Sequence, residues 1–449
     1  MKRRDFVRNS VLAMGATSIP VIVPAYCATT KQGRIPPSDR IRMGGIGLGG
    51  MGRGDMNRFI STENVEYVAM CDVDMNQIGR AMVSLKERGG DVNGVSVYGD
   101  FREFLEKEEL DAVHIATPDH WHAIPAIAAA NKGLHIYGQK PLARSIKEGR
   151  AMVEAVERNN IVWQTGSQQR SRPNFLKACE IVRNGKLGKI THVEVGLPDG
   201  GHKVGQPAEE PVPQGVDWKM WLGPAPIKPY RGVLHGKWRW ILDYSGGQLT
   251  DWAGHHVDIA HWGLDLDRTG PIEIEGVGQY NENDLFDVPY FYDLKFKYAN
   301  GLKMNVASRS KFIKARKGKK GWEREKENQV GMGAVWYGEN GWLQVNRAGI
   351  WAENPEVLDF EIGSGDVQLY KSPGHHMDFI NCVRFGKEPV CPAEIGHRSI
   401  SVALLGEIAM TTGERLKWNP KSETFIGASD HASAMLMKPY HNSWELPKT

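Results

Sequence analysis

The sequence has few cysteines, little net charge and no long apolar run, and each shortage excludes a class of protein. It holds five cysteines in 449 residues, without a C-x-x-C pair or zinc-type spacing, so neither a disulfide scaffold nor a structural zinc site is expected. The formal charge of +3 argues against a nucleic-acid surface, and the one basic run, at 311–326, is interpreted as a solvated loop. Repeats and low-complexity tracts are also missing. The length then favours a globular chain of two domains.

Residues 1–28 predict a twin-arginine export signal. Arg3 and Arg4 precede an apolar stretch at 11–23, and small residues up to Ala28 suit a cleavage site. The stretch is short and contains glycine and proline, so stable membrane insertion is not expected. We therefore predict a periplasmic or otherwise exported protein that is a substrate of the Tat export machinery. A lipid anchor on Cys27 and a disordered basic tail are the alternatives.

Export also bears on the thiols. Twin-arginine cargo folds before it crosses the membrane, so the cysteines that remain after processing are predicted to be free: Cys71, Cys179, Cys382 and Cys391. We assign no catalytic role to any of them.

A glycine-rich frame predicts a dinucleotide site. Gly47, Gly49 and Gly52 form a G-x-G-x-x-G pattern that permits a tight strand-to-helix turn, close approach of phosphates and close helix packing. Amides at the helix start would bind the pyrophosphate. The predicted contacts also include the residues inside the frame, which are Leu48, Gly50 and Met51.

The residue that would select the cofactor follows the second strand. An apolar run at 65–70 ends close to Asp72, about twenty residues after the glycines, where a dinucleotide fold places the carboxylate that binds the ribose hydroxyls. This carboxylate would repel a 2'-phosphate, so NAD is favoured over NADP. The alternative is that Asp72 simply ends a strand in a turn.

The composition divides the chain at about residue 167. After a linker at 29–38, residues 39–167 alternate short apolar runs with helices, which predicts a Rossmann domain with a doubly wound parallel sheet. Residues 168–428 carry long alternating runs and predict an α/β domain for substrate binding and oligomerisation, with an open, mostly antiparallel sheet. A helix at 393–412 is expected to pack back on the first domain, ahead of a C-terminal tail at 429–449. A partner subunit is expected to cover one sheet face, as a homodimer or homotetramer.

Loops after three predicted strands of the first domain are expected to line the cofactor crevice, because ligands bind beyond the carboxyl ends of such strands. The first loop follows a strand at 113–116 and the second follows a strand at 134–137. The predicted cofactor contacts in these loops are Thr117, Pro118, His120, Trp121, His122, Gln139, Lys140 and, after the last strand, Gln168.

A histidine-rich helix is predicted to carry the acid-base groups. Opening after Gly246 and Gly247, it would place Asp251, His255, Asp258 and Trp262 on one face. A carboxylate one turn from an imidazole orients it and raises its basicity, so His255 is the predicted base and Asp251 its partner. Lys140 follows a strand, and a lysine near the nicotinamide can bind the substrate hydroxyl and relay its proton. The alternative is a solvated surface lysine.

Two alternatives remain for this helix. Its polar residues could be buried capping groups, or His255, His256, Asp258 and His261 could bind a metal. We assign no metal. The pair His375 and His376 opens a late helix and is interpreted as structural. Predicted substrate contacts, chosen for aromatic faces and hydrogen-bonding groups, are Arg170, Trp238, Arg239, Tyr244 and His256.

Four motifs in order resemble those of the Gfo/Idh/MocA oxidoreductases over residues 40–420. They are the glycine loop, the segment at 116–122, Gln139-Lys140-Pro141, and Asp251 with His255. The resemblance implies a Rossmann domain, an open-faced α/β domain, a nicotinamide cofactor and sugar or cyclitol substrates. It also implies that Lys140 is catalytic and that Asp251 and His255 match the acid-base pair. The family's usual glutamate before the lysine is Gln139 here, which leaves the proton transfer open.

Together these features predict an exported oxidoreductase that carries NAD already bound and transfers hydride to or from a hydroxyl of a sugar or glycoside, C3 for example. A redox-assisted glycoside hydrolase is the alternative, in which transient oxidation permits elimination of the aglycone. A sugar-binding protein that keeps NAD as a structural element is a third hypothesis. No nucleic-acid partner is expected.

Overall fold

The computed structural model describes residues 40–62, 64–201, 203–317 and 330–448. The predicted export signal and linker lie outside these residues. The chain builds one six-stranded sheet and one nine-stranded sheet. The first is parallel and the second mostly antiparallel, so the predicted α/β fold class is confirmed.

The first domain has the strand order β3-β2-β1-β4-β5-β6, with parallel pairing throughout the described strands. The order reverses between β1 and β4, and a crevice forms beyond their carboxyl ends. The strands are β1 (Ile41–Ile46), β2 (Val65–Cys71), β3 (Ser96–Tyr98), β4 (Ala112–Ile115), β5 (His135–Gly138) and β6 (Trp163–Thr165). The helices are α1 (Gly50–Ile60), α2 (Met75–Glu87), α3 (Phe101–Lys107), α4 (Ala123–Asn131) and α5 (Ile146–Arg158).

The second domain has the strand order β13-β12-β11-β7-β10-β9-β8-β14-β15, in which β7 and β10 are parallel and the other described pairs antiparallel. Its strands are β7 (Ile190–Leu197), β8 (Glu273–Gln279), β9 (Phe291–Lys297), β10 (Lys303–Ser308), β11 (Gly333–Gly338), β12 (Gly341–Asn346), β13 (Gly349–Ala352), β14 (Leu416–Asn419) and β15 (Thr424–Phe425). Its helices are α6 (Pro173–Arg183), α7 (Trp218–Leu222), α8 (Gly232–Lys237), α9 (Gly247–Leu264), α10 (Arg309–Arg316), α11 (His375–Phe385), α12 (Ala393–Thr412) and α13 (Asp430–Ala434).

The two faces of the large sheet differ in polarity. In β9, Tyr292, Leu294 and Phe296 are buried and alternate with residues that face the other side. On that other side charged side chains pair across strands, as in the 2.9 Å contact between Lys297 and Glu273. Such a face tolerates water, so the homo-oligomer stays a prediction.

The basic run at 311–326 departs from its prediction. Residues 311–316 belong to α10 rather than to a loop, with Phe312 and Arg316 buried, and Arg316 donates to Glu194 at 2.8 Å. The contact between Arg316 and the sheet stabilises this helix. Composition alone does not show such a contact, so the sequence predicted a loop. Residues 318–326 lie outside the described residues.

Helix α12 joins the two domains and has the bounds that the sequence predicts. It packs on α5 of the first domain and on α9 and β8 of the second, and it is buried almost all round. Its Glu407 accepts two hydrogen bonds from Arg144, at 2.9 and 2.7 Å, both side chains being buried. The site described next therefore lies between domains that are packed firmly together.

The described cysteines are buried free thiols, as predicted. Within the described residues no helix is both long and apolar enough to cross a bilayer. Nor do the described His, Cys, Asp and Glu residues form a group of three or more arranged for a metal ion.

Candidate active site

A cavity of about 360 Å³ lies at the carboxyl ends of the first-domain strands and extends to the second domain. Its walls are the glycine loop, the end of β2, the loops after β4 and β5, and a tryptophan-rich segment of the second domain. The fold brings together thirteen residues predicted for the site: Gly47, Gly49, Gly50, Met51, Asp72, Thr117, Pro118, Trp121, His122, Gln139, Lys140, Trp238 and Arg239.

The glycine loop fits a dinucleotide pyrophosphate. Gly47 has a φ of +83°, which L side chains rarely adopt, and a Cβ on Gly52 would lie 1.9 Å from the Gly47 carbonyl oxygen. At Gly49 and Gly50 a Cβ would meet open space instead, so the backbone there is accessible to a ligand. Helix α1 starts at Gly50 without a side-chain cap or an acidic first turn. Its first amides are therefore free to bind an anion.

Asp72 is held by the backbone of the loop that it faces. Its Oδ2 accepts the Leu48 amide at 2.6 Å and its Oδ1 accepts the Asp74 amide at 2.9 Å. Burial raises the pKa of the Asp72 carboxyl to about 6, although these two hydrogen bonds oppose the shift. Leu48, a predicted cofactor contact, is buried, and its amide already donates a hydrogen bond to Asp72. It shapes the loop and does not line the cavity.

The raised pKa of Asp72 predicts that the affinity for NAD depends on pH. A charged carboxylate accepts hydrogen bonds from ribose hydroxyls better than a neutral acid does. Because the group protonates as the pH falls through about 6, we expect the Kd of NAD to rise over that interval, measured by fluorescence titration of the stripped protein. Asp72→Asn should bind weakly at every pH. A wild-type Kd that stays flat between pH 5 and 8 would contradict the assignment.

Lys140 lines the cavity and forms an ion pair with Asp251, which does not line it. The Lys140 Nζ lies 2.6 Å from Asp251 Oδ1, and the two side chains are 7% and 15% exposed. Lys140 also donates to the Asp251 carbonyl oxygen at 3.1 Å. Arg239 donates to the same Oδ1 at 3.1 Å. Burial favours the neutral acid, but Lys140 and Arg239 more than offset it and lower the pKa of Asp251. The carboxylate thus holds two cations at the cavity wall.

Gly254 of α9 lies against the lysine loop, where a larger residue would press on Lys140. A Cβ on Gly254 would lie 3.2 Å from the Lys140 Cβ, and the Gly254 carbonyl accepts the Ser167 hydroxyl at 2.7 Å. Glycine at this turn therefore lets the helix that carries Asp251 reach Lys140.

The predicted contact between Asp251 and His255 is wrong. The carboxylate binds Lys140 and Arg239 instead, because two cations attract it more strongly than a neutral imidazole does. His255 is buried, and its Nδ1 has no hydrogen-bond partner in the described part of the chain. Burial, followed by the charge of Lys140, lowers the pKa of His255 well below its usual value. The imidazole is neutral, lies within electrostatic reach of Lys140 and does not line the cavity.

Other predicted contacts also lie off the cavity. His120 is buried against the rings of Trp221 and Tyr244, with its Nε2 3.1 Å from the Trp221 carbonyl oxygen. Tyr244 is buried and packs its ring on Trp221 at 4.9 Å. Gln168 donates to the Tyr137 hydroxyl at 3.3 Å. Gly52 packs on Gly47, as described above. None of these four residues lines the cavity, so they support its walls from behind.

Two predicted substrate contacts belong to the domain core. Arg170 donates to Asp258 and Asp267, at 2.7 Å to each, with its own side chain 1% exposed. Its guanidinium also lies 5.1 Å from the Trp262 ring centroid. His256 is fully buried and stacks on Trp252 at 5.3 Å. The polar face predicted for α9 is therefore present, but beyond Asp251 its polar residues make contacts in the domain core and do not line the cavity.

The Gln139 side chain belongs to a buried network. Its Nε2 donates to Asp55 Oδ2 at 2.6 Å, and His376 Nε2 lies 2.9 Å from Asp55 Oδ1. A glutamate in place of Gln139 would set a second carboxylate against Asp55. His376 pairs with helix α1 through Asp55, which agrees with the structural role predicted for it.

Sequence reasoning missed several cavity residues from the tryptophan-rich segment, namely Met220, Trp221 and His235. Asp119, which lies in the motif at 116–122, was also missed. It lines the cavity, and its Oδ2 accepts the Ser245 hydroxyl at 2.6 Å. A carboxylate next to the predicted contact Pro118 was a usable signal for Asp119. The segment residues offered none, because their position depends on how the domains pack.

Family models match both domains. Residues 41–167 match the model described as "Oxidoreductase family, NAD-binding Rossmann fold", and residues 181–321 match "Oxidoreductase family, C-terminal alpha/beta domain". Together they cover more than half of the chain. The chain belongs to the Gfo/Idh/MocA oxidoreductase family. The predicted family, enzyme class and NAD cofactor are confirmed, and the geometry of the glycine loop fits that cofactor.

Curated relatives in the family match over part of their length. The Glycosyl hydrolase family 109 protein 2 of Shewanella sp. (strain ANA-3) is 29% identical over 207 residues, which is 43% of this chain and 45% of the relative. The Glycosyl hydrolase family 109 protein of Shewanella putrefaciens is 30% identical over 213 residues, with the same shares. The chain therefore matches less than half the length of these relatives.

Solved structures share the fold over almost their whole length. The WlbA dehydrogenase from Bordetella pertussis, in complex with NADH and UDP-GlcNAcA, has a TM-score of 0.60 at 18% identity and covers 85% of this chain and 99% of its own. The aldose-aldose oxidoreductase from Caulobacter crescentus has a TM-score of 0.58 at 17% identity, with coverage of 84% and 99%.

Proposed function

We propose that this protein is an exported, NAD-dependent oxidoreductase that acts on a hydroxyl of a sugar or glycoside, for example at C3. The observation that carries the proposal is that Lys140, held by its ion pair with Asp251, lines the same cavity as the glycine loop. An amine held at this place can reach a substrate hydroxyl next to a bound nicotinamide. The two groups come from different domains, so the site depends on the domain packing described above.

The lysine is the group that meets the substrate hydroxyl. Because Lys140 lines the cavity and His255 does not, we place Lys140 in contact with the hydroxyl and assign to it the relay of the hydroxyl proton. The ammonium stabilises negative charge that develops on the sugar oxygen. His255 is a poor acceptor for the relayed proton, because burial and the charge of Lys140 lower its pKa, so we expect the proton to leave to solvent from the cavity. Asp251 keeps Lys140 in position. Bound NAD supplies the acceptor for the hydrogen and the electron pair that leave the sugar carbon.

A sugar substrate is supported by the remaining wall of the cavity. The guanidinium of Arg239 lies 4.3 Å from the Trp238 ring centroid, and both residues face the cavity. An aromatic face beside a hydrogen-bond donor suits a ring that presents both C–H groups and hydroxyls. The sugar-related names of the similar proteins agree with this substrate class.

Export of a folded protein supports retention of the cofactor, since free NAD is not expected outside the cytoplasm. A retained cofactor must be returned to its starting state at the site, either by reducing a second carbonyl compound or by re-reducing the first substrate. The second route is the alternative function, a redox-assisted glycoside hydrolase. In it, oxidation acidifies a neighbouring C–H group, loss of that proton expels the aglycone, water adds, and the ketone is reduced again. The Shewanella relatives are named as glycosyl hydrolases, which supports this alternative.

Aryl glycosides separate the two functions. The purified protein, without added cofactor or acceptor, should reduce at most one equivalent of bound NAD per active site if it is a net oxidoreductase, and it should release no phenol. Repeated release of phenol with no lasting nicotinamide reduction would instead establish the hydrolase. If a broad panel of glycosides and keto-sugars produced neither signal, both functions would be contradicted.

A further inference from the structure

We propose that residues 214–245 of the second domain, here called the bridging segment, form the outer wall of the NAD site and limit the rate at which NAD leaves. The segment contains α7 and α8 and crosses the cavity from one first-domain loop to another. This inference depends on NAD binding by the family but not on the identity of the sugar or on the reaction performed.

One end of the bridging segment is fixed to the loop after β2, which carries Asp72. The Met75 amide donates to the Gly215 carbonyl at 2.8 Å, and the Asp217 amide donates to the Val73 carbonyl at 2.9 Å. Asp74 and Val216 form a β-bridge between these two bonds. The segment thus extends the rim of the pocket in which the adenosine ribose would lie.

The other side of the segment is fixed to the loop after β4. Trp121 Nε1 donates to the Trp221 carbonyl at 2.9 Å, and the His120 amide donates to the Tyr244 carbonyl at 3.2 Å. Both rims of the cavity are therefore connected by the same piece of chain. A dinucleotide bound along the glycine loop would lie beneath it.

Side chains between the two anchors face the cavity directly. Met220, Trp221 and His235 line it together with Trp238 and Arg239. His235 lies at the ribose end, with its Nε2 3.6 Å from Asp74 Oδ2. The wall thus has apolar surface over the middle of the cavity and a polar group near Asp72.

The C-terminal tail holds the bridging segment from outside. Asn442 Nδ2 donates to the carbonyls of Gly223 and Ala225, at 2.8 and 2.9 Å. The ring of Trp444 packs edge-on against Trp121, with centroids 4.8 Å apart. The tail therefore contacts the segment and one of the first-domain residues that the segment binds.

This arrangement sets the path for release. NAD can leave only when a local opening breaks contacts at one rim, so the rate depends on how firmly the segment is held. Loosening the tail should speed release without touching a residue that contacts the cofactor. Retention of NAD would then be a property of the second domain and the tail as well as of the Rossmann domain.

The test compares NAD release from two pairs of variants. The full-length holoenzyme is loaded with NADH and chased with excess NAD, and release is followed by loss of the energy transfer from tryptophan to bound NADH. The double variant Asn442→Ala, Trp444→Ala removes both tail contacts, and Glu445→Ala is its exposed control. His235→Ala alters the wall itself, with the exposed Lys219→Ala as control.

We expect release from the double variant to be at least about tenfold faster, because two hydrogen bonds and an aromatic contact are lost. His235→Ala should also speed release, while the controls match the wild type. Faster release in either test variant, at a temperature well below its melting point, supports the proposal. Release within twofold of the wild type in both test variants overturns it.

Discussion

Replacement of Lys140 by methionine is expected to lower kcat by roughly 10³- to 10⁵-fold while NAD remains bound, because acid-base and electrostatic contributions are lost together. Methionine keeps an apolar side chain against Gly254 but carries no charge. The glycine loop and Asp72 do not depend on the lysine, so the cofactor content should be close to that of the wild type. Turnover with a glycoside substrate and the nicotinamide absorbance of the purified protein measure both quantities.

Lys147→Met is the matched control for this variant, since Lys147 is exposed and lies seven positions further along the chain. It should retain wild-type kcat. Asp251→Asn should fall between the two, because Lys140 then keeps its charge but loses the carboxylate that holds it. Full turnover by Lys140→Met, with NAD present, would remove the lysine from the reaction.

Replacement of Arg170 by methionine is expected to lower the free energy of unfolding by about 3–5 kcal/mol, the usual result of removing one partner from a buried ion pair. The change leaves Asp258 and Asp267 without their common cation in the interior. Burial raises the pKa of Asp258 even with Arg170 present, so the aspartate would protonate more readily in the variant. Chemical denaturation at neutral pH measures the loss.

Arg172, two positions further along the chain, gives the control for this prediction, because it is exposed. Arg172→Met should change the free energy of unfolding by less than about 0.5 kcal/mol. The outcome also decides between two roles for Arg170. A direct substrate contact, which the sequence suggests, would raise KM and leave the stability nearly unchanged, whereas the ion pairs seen here predict the opposite pattern.

The extent to which sequence predicts this protein depends on whether the deciding contact is local. The glycine frame and Asp72 interact through one β-α-β unit, and their spacing was enough to place them in one site. Lys140 follows a strand at the edge where ligands bind, and the resemblance of Gln139-Lys140-Pro141 to the family motif implied its catalytic role. The bounds of helix α12 were also predicted, and Gly413 ends it in the left-handed conformation that favours glycine.

Contacts between residues far apart in the sequence could not be predicted in the same way. The i, i+4 spacing of Asp251 and His255 predicted a local pair, but Lys140, 111 residues away, provides the stronger partner for the carboxylate. The sequence position of Arg170, after the last strand of the first domain, suggests a ligand-binding residue. Only the structure shows that Asp258 and Asp267 bind it in the interior. For an ionised side chain, the nearest opposite charge in space decides its role, and that charge can come from any part of the chain.

The central claim is that Lys140 serves a nicotinamide that the protein already holds. It is tested most directly by mixing the purified protein, with no added cofactor, with an excess of a reactive glycoside and following the reduced-nicotinamide absorbance through a single turnover. We expect wild-type protein to show a rapid rise of up to one equivalent per bound NAD and Lys140→Met to show almost none. An equal rise in both proteins, or purified wild-type protein that contains no nicotinamide, would contradict the claim.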